Sequence, residues 1–146
     1  MTTPLTTWRC DVCGELIDSP ESGYVIWKTD SNLLSHSIKI IHKIKCDLKD
    51  HHDSAALSNF LGESGLAYLL SKLSLGPIMK SMGQSSFCQV ADMDEFVDFF
   101  RRVQTPFYEQ ARTKFGSAEV QSDFAGSNEL YPYLPESLKS IAERYE

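Results

Sequence analysis

Four side chains in the first third of the chain have the types and the spacing of a metal-ligand set. Cys10 and Cys13 are separated by two residues and followed by Gly14, and His42 and Cys46 form a second pair separated by three residues. Thiolate sulfur and imidazole nitrogen are donors that Zn²⁺ prefers, and four of them complete its tetrahedral shell. The pattern therefore predicts a Cys3His zinc site. The alternative is that the cysteines pack as small hydrophobic residues without a metal.

The residues around the first pair favour zinc over redox chemistry. A redox Cys-x-x-Cys precedes a helix, whose N-terminus lowers the pKa of a thiol. Here Gly14 is followed by Glu-Leu-Ile-Asp-Ser-Pro, which is a poor start for a helix. The Cys-x-x-Cys-Gly segment resembles the zinc knuckle of zinc-ribbon and treble-clef modules. This resemblance covers residues 8–46 only, and it implies an architecture in which backbone N–H groups point at the thiolates.

The second pair restricts the backbone that joins its two members. In an extended strand, His42 and Cys46 would lie about 13 Å apart at about 3.3 Å per residue. Two ligands at about 2.0–2.3 Å from one zinc ion cannot be that far apart. One helical turn, in contrast, brings residues i and i+4 together. We therefore expect a strand to end near His42 and a turn or helical segment to follow through residues 43–45.

Three further histidines and one further cysteine could take part in chemistry. His36 would be a substitute ligand if the register of its strand differed. His51 and His52 lie in the run Asp-His-His-Asp at residues 50–53, where two imidazoles beside two carboxylates could bind a metal or move protons. Four polar residues before a helix are more often a solvated connection and N-cap. Cys88 is predicted to be a buried spare thiol.

The elements that must position these residues change character near residue 53. Residues 23–28 and 37–41 are rich in aromatic and β-branched side chains, which predicts two strands joined as a hairpin by the turn at 29–32. After residue 53 the apolar residues follow a helical period. Helices are predicted over residues 54–61, 66–73, 93–103, 106–115 and 135–145, the third capped by Asp92. The alternative for the third and fourth is one long helix kinked at Pro106. Residues 77–91 and 116–134 are predicted loops, the first with a short strand as an alternative.

These elements predict an α+β protein in which a zinc-binding β module, residues 1–53, precedes a helical part, residues 54–146, packed on it as one compact unit. The aromatic residues of the second predicted loop, Phe124, Tyr131 and Tyr133, either cover the core or anchor a partner. The pair Arg101 and Arg102 is predicted to lie on a solvated helix face.

Charge and composition restrict the function. The chain has a net charge of −6, and both predicted parts are acidic, which disfavours a dedicated nucleic-acid binder. The N-terminus lacks the pattern of a secretory signal, and no apolar run approaches the ~20 residues of a membrane span. Reduced thiols and these absences predict a cytoplasmic location and no contact with a membrane.

Three functional interpretations remain. In the preferred one, the chain is a small, non-enzymatic interaction or regulatory protein with a structural zinc, and its partner is another protein. The first alternative is a nucleic-acid-binding regulator that uses the lysines of the hairpin region (Lys39, Lys43, Lys45 and Lys49) with Tyr24 and Trp27. The second is a zinc-dependent hydrolase with an incompletely ligated metal, whose general base would be Glu15, His51 or His52. Four ligands close a zinc site, which argues against catalysis.

Overall fold

The computed structural model describes residues 5–85 and 87–144, and it has the predicted α+β architecture. The described strands are β1 (Trp8–Arg9), β2 (Leu16–Ile17), β3 (Gly23–Thr29), β4 (Ser35–His42) and β5 (Asp53–Ala56). The described α-helices are α1 (Gly62–Leu73), α2 (Gly76–Ser81), α3 (Met93–Gln104), α4 (Tyr108–Arg112), α5 (Ala118–Phe124) and α6 (Pro135–Arg144). Short 3₁₀ segments occur at Pro20–Ser22, Leu57–Phe60 and Tyr131–Tyr133.

The predicted hairpin of β3 and β4 is confirmed. The two strands pair antiparallel, with Gly23 opposite His42 at one end and Thr29 opposite Ser35 at the other. The turn between them is organised by Asp30, whose carboxylate accepts hydrogen bonds from two backbone N–H groups that follow it. The short strands β1 and β2 form a separate antiparallel pair. The register of the hairpin therefore places His42 at the open end, away from the turn.

The helix predicted over residues 54–61 is wrong in its first half. Residues Asp53–Ala56 form β5, which pairs antiparallel with β3 and makes a three-stranded sheet in the order β4-β3-β5. The backbone N–H and C=O groups on the open edge of β3 need hydrogen-bond partners, and residues 53–56 supply them as a strand. These several hydrogen bonds outweigh the single N-cap interaction that a helix start would give. Leu57 and Phe60 are buried as predicted, although they lie on a 3₁₀ segment. Gly62 begins α1 instead of ending a helix.

The predicted loop at residues 77–91 contains helix α2. Gly76 has a φ of +82° and Pro77 occupies the first turn of α2, where proline is favoured because its missing N–H has no helical partner. The pair Gly76-Pro77 therefore opens a helix as well as following α1. Of the leucines on the predicted inward stripe of α1, Leu69 is fully buried, whereas Leu66 and Leu70 are 39% and 50% exposed.

Helix α3 begins where the sequence predicts. The carboxylate of Asp92 accepts hydrogen bonds from the N–H groups of Asp94 and Glu95 at 2.9 and 3.3 Å. The chain after α3 does not continue as one kinked helix, because Phe107 has a left-handed φ of +68° and α4 begins at the next residue. Helix α4 ends at Arg112, earlier than the predicted Phe115.

The predicted loop at residues 116–134 also contains a helix. Ser117 caps α5 by accepting a hydrogen bond from the N–H of Glu119 at 3.2 Å. Val120 of this helix packs with residues of α4 and α6 in a second apolar cluster, against which Phe124 and Tyr133 are partly buried. Tyr131 is 47% exposed. The predicted position of Tyr145 on the α6 stripe lies outside the described residues.

The main apolar core joins the sheets to the helices. It contains Trp8 and Ile17 of the small sheet together with residues of β3, β4, α1 and α3. The predicted boundary between residues 53 and 54 falls inside β5, so both predicted parts contribute to the three-stranded sheet. In the described part of the chain, no helix is long and apolar enough to cross a membrane.

Candidate metal centre

The fold brings the four predicted ligands together. One donor atom from each of Cys10, Cys13, His42 and Cys46 lies within 4.8 Å of every other. The Nδ1 atom of His42 is 3.4 Å from the sulfur of Cys13 and 3.6 Å from the sulfur of Cys46. Tetrahedral zinc with Zn–S of about 2.3 Å and Zn–N of about 2.0 Å requires S···N separations of about 3.5 Å. These two S···N distances therefore match those of a four-coordinate zinc site, and the group could hold a metal ion.

The backbone around the first cysteine pair forms a tight turn. The N–H of Val12 points at the sulfur of Cys10 at 3.4 Å, and the N–H of Gly14 donates to the carbonyl of Cys10 at 3.0 Å. Gly14 has a φ of +78°, which L-residues rarely adopt, so the return of the chain depends on glycine. The cysteines are thus held by a turn in which a backbone N–H group stabilises a thiolate.

The turn predicted after His42 is confirmed. Strand β4 ends at His42, residues 43–46 form a turn, and the N–H of Cys46 reaches back to the carbonyl of His42 at 3.4 Å. Ile44 lies inside this turn with a φ of +62° and is 89% exposed. A left-handed, β-branched residue is unfavourable, so the turn is a strained segment maintained by its surroundings.

The orientation of His42 assigns its tautomer. Its Nε2 atom is 2.9 Å from the carbonyl oxygen of Leu16. A carbonyl can only accept, so Nε2 carries the hydrogen; in the neutral imidazole Nδ1 then has the lone pair, and it faces the sulfurs of Cys13 and Cys46. Histidine ligands of protein-bound metals are commonly fixed in this way by a carbonyl on the other ring nitrogen. Strand β2 thus orients the imidazole toward the cysteines.

The thiols differ in their tendency to ionise. Burial alone raises the pKa of Cys10, but hydrogen bonds from the backbone of Cys13 and Val12 lower it to about 6. Burial raises the pKa of Cys46, and its hydrogen bonding and charge repulsion with the other thiols raise it further, to about 11. Negative charge on one sulfur therefore opposes ionisation of the next. A divalent cation among the sulfurs would reverse this effect and favour all three thiolates.

A buried ion network joins the cysteine turn to the helices, which corrects the prediction of a solvated Arg102. This arginine is 3% exposed. Its Nε and Nη2 atoms donate to the two carboxylate oxygens of Glu109 at 2.6 and 3.1 Å, and its Nη1 donates to Asp11 at 2.7 Å. Asp11 lies in the turn between Cys10 and Cys13 and also accepts from the N–H of Ile40 at 2.8 Å. The turn is therefore held by β4 and α3 together.

The network keeps Arg102 charged. Burial by itself would lower its pKa, but the carboxylates of Glu109 and Asp11 raise the pKa above its ordinary value. A third interaction, from Nη2 of Arg102 to the carbonyl of Arg9 at 3.0 Å, satisfies another donor of the guanidinium. Sequence patterns could not indicate this arrangement, because Asp11 and Arg102 are 91 residues apart.

The other predicted candidates lie outside the cluster. His36 contacts the hydroxyl of Ser37 at 2.9 Å. His51 pairs through Nε2 with Asp47 at 3.0 Å. His52 accepts a hydrogen bond from the N–H of Thr29 at 2.8 Å, which closes the end of β3. The predicted N-cap role of Asp53 is wrong, since it lies in β5.

Two further candidates have exposed positions. Cys88 is exposed, so its prediction as a buried thiol is wrong. Glu15 forms an exposed ion pair with Lys45 at 3.4 Å. Neither residue belongs to the cluster of four donors, the one possible metal-binding group found among the described residues.

No protein-family model matches the sequence, and no curated protein and no solved structure matches it either. Function is therefore inferred from the side chains of this chain alone.

Proposed function

We propose that Cys10, Cys13, His42 and Cys46 hold a structural Zn²⁺ ion and that the protein is a small, non-enzymatic interaction or regulatory protein. The observation that carries the proposal is the convergence of three sulfurs and the free Nδ1 of His42 within 4.8 Å. Soft thiolates with one imidazole in tetrahedral geometry select zinc over hard cations such as Mg²⁺ or Ca²⁺. The knuckle resemblance of residues 8–46 agrees with this assignment.

The positions of the two segments that the metal would join support a structural role. Cys10 and Cys13 lie on the turn between β1 and β2, whereas His42 and Cys46 lie at the end of β4. Two strands of two residues each have too few hydrogen bonds to form a stable sheet alone. A metal bonded to both segments would supply the missing free energy, as it does in other small zinc modules.

The four donors support a closed site in preference to a hydrolase. A catalytic zinc keeps one position for water, and here a fourth protein donor is already in place. The bases considered for hydrolysis are engaged elsewhere: Glu15 with Lys45, His51 with Asp47 and His52 with the backbone of Thr29.

The surroundings of the hairpin disfavour the nucleic-acid alternative. Trp27 is only 6% exposed, and its ring packs against Phe60 with the ammonium of Lys72 4.6 Å from its centroid. A ring in this position is not free to stack on a base, which is the contact that single-stranded nucleic acid needs.

Metal analysis of the purified protein tests the proposal. We expect one equivalent of zinc per chain, retained through dialysis without chelator. The variant Cys46→Ser should lose the metal, whereas Cys88→Ser, which changes an exposed thiol outside the cluster, should retain it. Cobalt substitution should give a tetrahedral spectrum that is unchanged by added small anions. Protein that contains no zinc, or a cobalt site with an exchangeable water, would overturn the proposal.

A further inference from the structure

Residues of α5, α6 and the 3₁₀ segment Tyr131–Tyr133 line a cleft of about 530 Å³. Helix α6 contributes Ser137, Ser140 and Arg144 to its wall. These three residues are spaced by three and four, so they lie along one face of the helix. Binding sites in proteins are commonly clefts of about 300–1,000 Å³, which gives this one room for a side chain of a partner.

Two aromatic residues form another wall of the cleft. The ring centroids of Phe124 and Tyr131 lie 5.8 Å apart, and both residues line the cleft. Phe124 packs against the second apolar cluster, whereas Tyr131 is 47% exposed. Tyr133 instead contacts Phe115, with ring centroids 6.2 Å apart. Of the three aromatic residues predicted either to cover the core or to anchor a partner, Tyr131 thus has a ring available for contact with a bound cation.

The charges that line the cleft favour a positively charged ligand. Asp123 and Glu136 supply two carboxylates, and Arg144 offsets the first of them across a distance of 3.9 Å. Within the described part of the chain, the carboxylate of Glu136 forms no ion pair. A second cleft of about 450 Å³ shares Asp123 and Arg144 with the first and adds Glu119. Three carboxylates against one guanidinium give this surface a negative potential that attracts cations.

A buried hydroxyl provides an observation that is independent of charge. Ser137 is 5% exposed, and its Oγ atom has no hydrogen-bond partner among the described residues. Buried polar atoms in proteins are nearly always hydrogen-bonded, and leaving one unsatisfied costs free energy. Because Ser137 lines the cleft, a donor group bound there would supply the missing hydrogen bond.

We propose that this cleft binds an arginine side chain on a basic segment of a partner protein. A guanidinium carries five N–H donors in one plane and packs its plane on aromatic rings. The carboxylate of Glu136 and the hydroxyl of Ser137 accept its hydrogen bonds, and the ring of Tyr131 contacts its plane. The proposal rests on the interaction role proposed above and names the chemistry of the partner, but it does not require the zinc ion.

An NMR titration of the full chain tests the cleft. The probe is a blocked pentapeptide in which glycines flank and separate two arginines. We expect saturable shifts at the backbone amides of Tyr131, Ser137 and Ser140. The same peptide with citrulline in place of arginine has nearly the same shape without the charge, and it should bind at least about tenfold more weakly because charge-assisted hydrogen bonds are lost.

Two substitutions at the cleft test the residues that would accept the arginine. Glu136→Gln should raise the dissociation constant about fivefold. The matched control, Glu143→Gln, changes an exposed acid of α6 that does not line the cleft and should leave the constant unchanged. Ser137→Ala should raise the constant about tenfold without lowering the free energy of unfolding, because a hydroxyl that lacks a partner does not stabilise the free protein.

The outcomes separate the two proposals. Equal binding of the arginine and citrulline peptides would overturn the cleft as an arginine site, and so would peptide binding that neither Glu136→Gln nor Ser137→Ala weakens. Zinc content is measured on the same samples. A zinc-containing protein that does not bind the peptide would contradict the cleft alone, and a metal-free protein that binds it would contradict the zinc site alone.

Discussion

The carboxylate of Asp11 lies 2.7 Å from Nη1 of Arg102, so the turn between Cys10 and Cys13 is bonded directly to helix α3. Arg102 is in turn held by Glu109 of helix α4 through two hydrogen bonds. The two halves of the chain therefore share one buried ion network beside the candidate metal centre. A change in the helical part can disturb the ligands without touching them.

Removing the guanidinium should destabilise the protein strongly. Arg102→Met removes the two closest donors of the Glu109 carboxylate, which is itself 6% exposed, and leaves it the longer contact with Nη1 of Arg112 at 3.6 Å. Removing one partner of a buried ion pair costs about 3–5 kcal/mol, and the remaining contact with Arg112 places the expected loss at the lower end of this range. Urea denaturation of the zinc-loaded protein measures the free energy of unfolding. Metal affinity should also fall about 10–100-fold, because Asp11 no longer holds the turn.

The neighbouring arginine provides the control. Arg101 lies on the same helix, 4.1 Å from the ring centroid of Tyr133, and it takes no part in the network. Arg101→Met should cost only about 0.5–1 kcal/mol, the free energy of a cation–π contact. Equal losses in the two variants would contradict a special role for Arg102.

The turn from Cys10 to Gly14 should depend on the backbone freedom of Gly14. Its φ is +78° and a Cβ atom there would meet nothing within 4 Å, so Gly14→Ala tests conformation without a steric clash. We expect a loss of about 1–2 kcal/mol in the free energy of unfolding, measured by urea denaturation. Gly116 has equally open surroundings and no left-handed φ. Gly116→Ala should therefore be neutral or slightly stabilising, and a loss as large as that of Gly14→Ala would contradict the explanation.

Alkaline pH should weaken the packing of helix α4. Burial, together with a hydrogen bond to Asp98, raises the pKa of Tyr108 above its ordinary value. The folded state therefore favours the neutral phenol. This stabilisation is fully present below the unfolded pKa of about 10 and is lost as the pH rises above it toward the folded pKa.

Urea midpoints measured between about pH 8 and pH 11 test this dependence. The urea midpoint of the wild-type protein should exceed that of Tyr108→Phe by a constant amount near pH 8, and this difference should shrink above about pH 10. Tyr131→Phe, which changes a phenol that is 47% exposed, should retain the wild-type decline. If the wild-type protein and Tyr108→Phe decline in parallel, the Tyr108 hydroxyl does not contribute in this way.

Chelation should release the N-terminal module before the helices. Hydrogen exchange after zinc removal should show faster exchange at the N–H groups of Cys10, Asp11 and Gly14. Their acceptors are the carbonyls of Glu15, Ile40 and Cys10, respectively. The amides around buried Leu69 in α1 should stay protected for longer, because they belong to a regular helix packed on the main core. Unchanged exchange at these three N–H groups after verified zinc removal would contradict a structural role for the metal.

The convergence of Cys10, Cys13, His42 and Cys46 could be predicted because the spacing within each pair reflects short-range chemistry. The spacing of Cys10 and Cys13 indicates a tight turn, and the reach of a strand requires a turn after His42. The cap at Asp92 is equally local. Such features need no knowledge of the rest of the fold.

The predictions from sequence are wrong where contacts between residues far apart in the chain determine the structure. Asp53 and Ser54 have the composition of a helix start, but the open edge of β3 recruits them into a strand. The sequence places Arg102 on a solvated helix face, but in the fold its guanidinium is buried against Asp11 and Glu109.

The sequence does contain a local pattern that predicts helix α5. Ser117 is followed by Ala-Glu, and the apolar residues Val120 and Phe124 are spaced by four, which is typical of a capped amphipathic helix.

X-ray absorption at the zinc edge tests the central claim most directly, because it counts the donor atoms bound to the metal in the native protein. The proposed zinc site predicts three sulfurs at about 2.3 Å and one nitrogen at about 2.0 Å, with imidazole scattering. His42→Cys should convert this shell to four sulfurs if the turn after β4 retains its shape. A first shell with an oxygen in place of a protein donor, or with fewer than three sulfurs, would contradict the Cys3His centre.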